Sequence, residues 1–280
     1  METRRTLAQR RHELILKEVR RARAIRVTEL AELLGVSDMT VRRDLEVLDE
    51  AGLLTKVHGG ATVAGLQSAF EPGFAAKSLR NTAEKDAIAR AAARLMTPGS
   101  AIGITAGTTT FRFAGELEDV ADLTIVTNSM SVAELLTRSG RTDRTVVLTG
   151  GVRTPSDALV GPVACGALRS LHLDIVFMGV HGMSMRTGFT TPNLQESETN
   201  RAFADAAGEL VVLADHTKWE VSGLAEIVGI GGADIIVTDD GLPDSAQKVL
   251  AEAVDRLVVT PVEREEERED EREHVGVAHG

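Results

Sequence analysis

Cysteine is almost missing from this chain: Cys165 stands alone among 280 residues. A single thiol excludes an internal disulfide, fits a reducing cytoplasm and reads as a small core side chain. No run of about 18 uncharged apolar residues occurs, which argues against a membrane-spanning helix. The opening segment, METRRTLAQRRHELILKEVRRAR, carries too much charge for the apolar region of a secretory signal. His12, His58, His172, His181, His216, His274 and His279 show no metal-ligand spacing. A Gly-x-Ser-x-Gly nucleophile motif is also missing. Neither a metal, a cofactor nor an acyl-transfer site is expected.

What is present suffices to fold. Hydrophobic residues make up 43% of the chain and the mean hydropathy is -0.02, as in a soluble globular protein with a sizeable core. The length accommodates one large domain, or a small one plus a medium one. The net charge of -11 opposes a nucleic-acid partner until its distribution is considered. Residues 1–26 carry nine Lys or Arg against three Glu, whereas residues 263–273 carry eight acids and three Arg. A basic front with an acidic body and tail fits a modular protein whose front meets an anion. A solvated helix face accounts for the basic segment equally well by itself.

Three helices are expected before residue 57. Leu7, Leu14, Ile15, Val19 and Ala22 recur at helical spacing in the first. Thr28 is placed to cap a short second helix with Leu30, Ala31, Leu33 and Leu34 inward, and Gly35 to end it. Ser37 caps a third, running to Gly52. His58-Gly59-Gly60 then joins two short apolar stretches, 53–57 and 61–63, as a hairpin would. Residues 64–80, with Gly65, Pro72 and Gly73, read as a linker. From 81 onward helices alternate with buried strands at 100–104, 123–127, 144–148, 173–179, 209–214, 233–238 and 256–260. That alternation predicts a mostly parallel sheet covered on both faces. The expected layout is therefore α/β: a small helical unit with a hairpin at 1–63, a linker at 64–80, a larger α/β domain at 81–260 and a disordered acidic tail at 261–280.

In the third helix, Val41, Leu45 and Leu48 share one face, while Met39, Thr40 and Arg43 fall opposite with Arg42 at the flank. A short helix, a tight turn and a capped helix displaying Thr and Arg form a helix-turn-helix. Arginines grip guanine edges or phosphates, and the hydroxyls of Ser37 and Thr40 suit backbone phosphates. The glycine hairpin would be a wing carrying Lys56 and His58. Spacing alone leaves a plain exposed helix in a small bundle as the alternative.

In the second half, Gly103-Ile104-Thr105-Ala106-Gly107-Thr108-Thr109-Thr110 follows a buried strand and opens a helix. Amides at a helix N-terminus together with threonine hydroxyls make a phosphate cradle. The stretch is neither a P-loop nor a dinucleotide fingerprint, and an ordinary strand-to-helix turn explains it too. Other strands also end in small polar residues: Thr127-Asn128-Ser129, Gly150-Gly151, Gly179-Val180-His181-Gly182 and Asp215-His216-Thr217-Lys218. Ligands bind at the carboxyl ends of parallel strands, so these loops are candidates to converge. Lys218 offers a cation to a phosphate, while Asp215 either binds sugar hydroxyls or orients the lysine. Trp219 beside it has core packing as its default role.

These residues carry a resemblance. Arg11, Ile15 and Val19, then Ser37-Asp38-Met39-Thr40-Val41-Arg42-Arg43-Asp44-Leu45, then Val57-His58-Gly59-Gly60-Ala61, resemble the N-terminal domain of the DeoR family of bacterial repressors. Gly107-Thr108-Thr109, Thr127-Asn128-Ser129, Gly150-Gly151 with Arg153, Val160-Gly161, Gly188 with Thr190, Glu198 with Arg201, and Asp215-His216-Thr217-Lys218 are similar to its sensor domain. That domain is related in fold to ribose-5-phosphate isomerase and glucosamine-6-phosphate deaminase. The resemblance implies Ser37, Thr40, Arg42 and Arg43 as operator contacts, with Asp44 holding the recognition helix in place. It implies a homo-oligomeric repressor of carbohydrate genes, released from a double-stranded operator by a phosphorylated sugar. The family's usual aspartate two residues before the loop glycine is replaced by Thr105. His181 stands where a small or acidic residue is usual, as a specificity element or a loop histidine. A sugar-phosphate isomerase or deaminase with an added DNA-binding front is the rival, and the missing acid at Thr105 weighs against it.

Overall fold

The computed structural model describes residues 11–12, 14–19, 24–50, 53–57, 59–63 and 73–263. His58 and the acidic run 264–280 lie outside the described residues. The chain divides into two compact units, Met1–Phe70 and Glu71–Gly280.

In the first unit residues 11–12 and 14–19 are helical (α1). Strand β1 (Ala24–Arg26), helices α2 (Val27–Leu34) and α3 (Asp38–Glu50), and strands β2 (Leu54–Val57) and β3 (Gly60–Val63) follow. Ile15, Val19, Leu30, Val41, Leu45, Leu48 and Leu54 close one core. Gly35 ends α2 at φ 64, a left-handed conformation that glycine adopts without penalty. Thr28 is not the cap. Helix α2 starts directly off β1, with Arg26 in the cap position and its amide donating to the Glu29 carboxylate at 3.2 Å. The frame therefore places Val27, Leu30 and Ala31 inward and leaves Leu33 56% exposed, against the expectation that Leu33 packs. The hairpin forms as expected, but β1 adds itself to β3, with Ile25 opposite Ala61. Gly60 permits that approach, since a Cβ there would lie 2.2 Å from the Ile25 carbonyl oxygen.

The second unit is built on strands β4 (Ala101–Ile104), β5 (Thr124–Thr127), β6 (Thr145–Leu148), β9 (Leu173–Gly179), β12 (Ala207–Leu213), β14 (Ile235–Asp239) and β15 (Arg256–Thr260). They make one sheet in the order β15-β14-β12-β9-β4-β5-β6, every pairing parallel. All seven expected strands are in it. Alternation along β9 shows why their apolar runs are continuous. Ile175 and Phe177 join Ile88, Phe113 and Val132, on helices α5 (Thr82–Ala93), α6 (Thr108–Gly115) and α7 (Met130–Arg138). Val176 and Met178 join Leu168, Phe203 and Leu250, on α8 (Pro162–Leu168), α9 (Leu194–Ala206) and α10 (Asp244–Ala253). The inner strands are thus buried on both sides, whereas the edge strand β6 leaves Val147 and Leu148 39% and 41% exposed. Short strands β7 (Val152–Arg153) and β8 (Leu159–Val160) pair with each other, and β10 (Gly182–Ser184), β11 (Gly188–Thr191) and β13 (Ala225–Val228) form a small antiparallel sheet. Helix α4 (Phe74–Ser78) falls inside the stretch expected to be linker; five residues are too few to display a helical period. Cys165 is buried, and Trp219 packs against the sheet's core.

Candidate functional site

Helix α3 is anchored from behind. Arg11 grips the Asp44 carboxylate with two nitrogens, at 2.5 and 2.9 Å, and His12 Nε2 reaches it at 3.0 Å. Burial pushes Asp44 up, but the bonds from Arg11 and His12 outweigh it and hold the carboxyl below its usual range. Asp44 therefore locks the helix to α1. The outer face carries Arg42, Arg43 and Met39, the last 74% exposed. The Ser37 hydroxyl accepts the Thr40 amide at 3.3 Å and lies 2.9 Å from the Thr40 hydroxyl, closing the first turn. The wing lysine is engaged already: the Lys56 ammonium donates to Glu46 of α3 and its amide to Asp49 at 3.0 Å.

In the second unit the strand order reverses between β4 and β9, and that is where a parallel sheet opens a crevice. Thr105 spans it, its hydroxyl accepting the Gly179 amide at 3.1 Å. The Asn128 side-chain oxygen accepts the Ala106 amide at 2.8 Å, and its nitrogen donates to the Leu159 carbonyl at 3.1 Å. The Thr127 hydroxyl donates to the Ile104 carbonyl at 2.7 Å, and the Ser129 hydroxyl accepts the Val132 amide to cap α7. Thr105, Thr127, Asn128 and Ser129 are each at most 1% exposed, so they brace the loop from beneath. The loop itself is tight: a Cβ on Gly107 would meet the Thr110 hydroxyl at 3.0 Å. Above the brace lie the first-turn amides of α6, at Thr108 and Thr109, which an α-helix leaves without internal acceptors.

Strand β9 separates β4 from β12, so the Asp215–Lys218 loop leaves the sheet about 10 Å from the threonine loop. Asp215 is fully buried; its Oδ1 accepts Asn81 Nδ2 at 3.1 Å and the Thr217 amide at 3.2 Å. Lys218 is half-buried, with no ion-pair partner among the described residues. His181 is half-buried just past β9, its amide donating to the Thr190 carbonyl at 3.0 Å. Gly150 and Gly151 turn the chain after β6 at φ 71 and 126; a Cβ on Gly151 would lie 2.5 Å from the Val160 carbonyl oxygen.

Glu198 is not brought to this crevice. It is exposed on α9 and borders a groove with Cys165, Arg169, His172 and Asp205. Its companion Arg201 is spent on the carbonyls of Glu226 and Ile227, at 2.7 and 3.1 Å. The inward acid of α9 is Glu196, which accepts the hydroxyls of Thr154 and Thr191, both at 3.0 Å. Asn193, three residues earlier, caps α9, and that Asn-x-x-Glu spacing is a helix-start signature visible in sequence. Asn81 and Lys85 join this region without any motif to mark them. Lys85 is 4% exposed on the inward stripe of α5 with Ile88, Ala89 and Ala92, so helical period alone marks it as an inward lysine. Burial pushes its amine down to about 8, while Asp215 pulls it upward. His216 is held by buried Asp239 through its amide at 2.7 Å and its Nδ1 at 2.6 Å. Among the described residues no cluster of His, Cys, Asp or Glu fits a metal, and no helix is long and apolar enough to cross a membrane.

A helix-turn-helix unit that precedes a doubly wound sheet along the chain is the layout of a ligand-responsive DNA-binding regulator. The chain belongs to the DeoR family: residues 11–65 match the DeoR-like helix-turn-helix domain and residues 80–240 the DeoR C-terminal sensor domain. Among its relatives is the transcriptional regulator GolR of Listeria innocua, 35% identical over 82% of this chain and 89% of that one. The transcriptional repressor CsqR of Escherichia coli K12 is 33% identical over 85% and 90%. A ribose 5-phosphate isomerase A from Neisseria gonorrhoeae is a distant structural neighbour, with a TM-score of 0.35 and 20% identity over 49% of this chain and 53% of that one.

Proposed function

We propose that this protein is a cytoplasmic, homo-oligomeric repressor of carbohydrate genes, released from its operator when a phosphorylated sugar enters the crevice at the β4/β9 reversal. One observation carries the reading: the α6 amides and threonine hydroxyls lie on a braced loop at the sheet's switch point, across β9 from Lys218. Amides from one loop and an ammonium from another suit a phosphate. In this reading Gly107, Thr108 and Thr109 cradle the phosphate, Lys218 neutralises it, and Asp215 and His181 meet the sugar. Arg42 and Arg43 read bases while Ser37 and Thr40 meet phosphates. Lys56 reaches DNA only by giving up Glu46, so its contact is the weaker one. The repressing sign is supported by the CsqR relative's description as a repressor.

The test is a thermal-shift screen of phosphorylated and plain sugars, since a ligand that binds only the folded state raises the melting temperature. Lys218→Ala should abolish the shift given by the best phosphorylated hit while leaving ligand-free operator binding intact. An unchanged shift would show that the phosphate sits elsewhere.

A further inference from the structure

The segment 73–81 opens the described part of the sensor unit, and it is tied down at several points. The Phe74 amide donates to the Pro155 carbonyl at 3.3 Å, and its ring meets that of Phe111 edge-on at 5.6 Å. The Lys85 ammonium donates to the carbonyls of Lys77, at 2.7 Å, and Arg80. At the end of the segment, Asn81 Nδ2 donates to Asp215 Oδ1 at 3.1 Å and to the Thr217 hydroxyl at 3.0 Å. Asn81 sits at φ 50, a left-handed conformation that costs a non-glycine residue energy unless its contacts hold it there.

Two groups at that end are incompletely satisfied. Asp215 Oδ2 is buried without a hydrogen-bond partner, although Oδ1 accepts Asn81 and twice from Thr217. Lys85, buried nearby, meets two neutral carbonyls instead of making an ion pair with that carboxylate. A buried acceptor without a donor is costly and rare, so Asp215 Oδ2 calls for a donor from outside the described side chains. Asp215 lies in the loop that also bears Lys218, so a hydroxyl of a ligand whose phosphate the crevice took would be within reach to supply that donor.

We propose that Asn81, Asp215 and Lys85 form the coupling latch of the sensor: closed, they tie α4 to the Asp215–Lys218 loop, and an effector hydroxyl that donates to Asp215 Oδ2 draws the carboxylate toward the ligand, breaks the Asn81 bond at Oδ1 and frees α4. This rests on reading the crevice as the effector site. The closed latch is the operator-binding state. An effector that completes Asp215 favours the open state, which supplies the unequal affinity for two states that any regulation requires. The latch reports the ligand to the one covalent route toward the DNA-reading unit, the chain preceding Gly73.

Asn81→Gly tests it, since glycine keeps the left-handed backbone while removing both side-chain bonds. Linkage makes the expectation two-sided: a variant biased to the open state binds operator more weakly and effector more tightly. Full-length wild type and N81G are compared on an operator fragment selected with wild type from random-sequence DNA. Trypsin cleavage after Arg80 reports whether α4 is held. The latch predicts faster cleavage and operator affinity lowered about tenfold, within the usual range of coupling energies. Faster cleavage with unchanged operator affinity overturns it, and so does unchanged cleavage. If N81G fails to fold, Lys85→Met, which frees the Lys77 and Arg80 carbonyls, is held to the same two outcomes. Ribose 5-phosphate and glucose 6-phosphate, added to wild type and N81G, separate the two ideas. Weaker sugar-phosphate binding by N81G makes Asn81 a plain ligand contact and ends the latch. A wild type that binds no phosphorylated sugar fails the effector reading instead, with the DNA result still standing.

Discussion

Two neighbouring arginines are the proposed readers of the operator. Arg42 and Arg43 stand on the side of α3 turned away from Val41, Leu45 and Leu48, and their side chains are exposed. Replacing both by Ala leaves that core untouched and removes two contacts worth about 1–3 kcal/mol each when bidentate to a base. Gel-shift titration should show loss of specific binding with the circular dichroism unchanged; undiminished affinity would show that another surface reads the sequence. Asp44 carries no such role, because its carboxylate is already spent on Arg11 and His12. The inward place of Asp44 was legible in the sequence, since a bare carboxylate next to phosphates is repelled, while Glu46 on the same helix stays exposed and meets Lys56 instead.

Among the elements, α5 carries a testable electrostatic cost. Its Lys85 titrates near 8, lowered first by burial and partly restored by Asp215. A lysine lowered in the fold and ordinary in the unfolded chain destabilises the fold below its folded pKa. That cost is relieved as pH rises from about 8 toward the unfolded value near 10. Melting temperatures of wild type and Lys85→Met should therefore diverge in favour of wild type between pH 7 and 9.5. A constant difference would mean that the amine is not protonation-stressed. Elements were legible where one face settles them. The inner strands announce themselves because burial on both sides forces unbroken apolar runs, as in Leu173–Gly179. The start of α2 was not legible, since β1 sets its frame by pairing with Ala61 across the unit. Glu198 was misplaced for a related reason: resemblance brings a residue type to a position, while the turn of α9 decides that Glu196 faces inward.

At the scale of the molecule, each unit has its own core and carries one half of the task. A single small helix-turn-helix covers one half-site, so useful affinity requires two copies on the DNA. Light scattering of the full chain should give at least twice its 29.9 kDa mass. A strict monomer at high concentration would break that expectation. The anchoring of α3 from behind has a consequence for inheritance. The apolar contacts of α3 and the grip on Asp44 lie on its inner face, and Met39, Arg42 and Arg43 take part in none of them. After a gene duplication, one copy can exchange Met39, Arg42 and Arg43 and acquire a new set of promoters without refolding or losing its old signal. Daughters of such a duplication would answer the same metabolite at different genes.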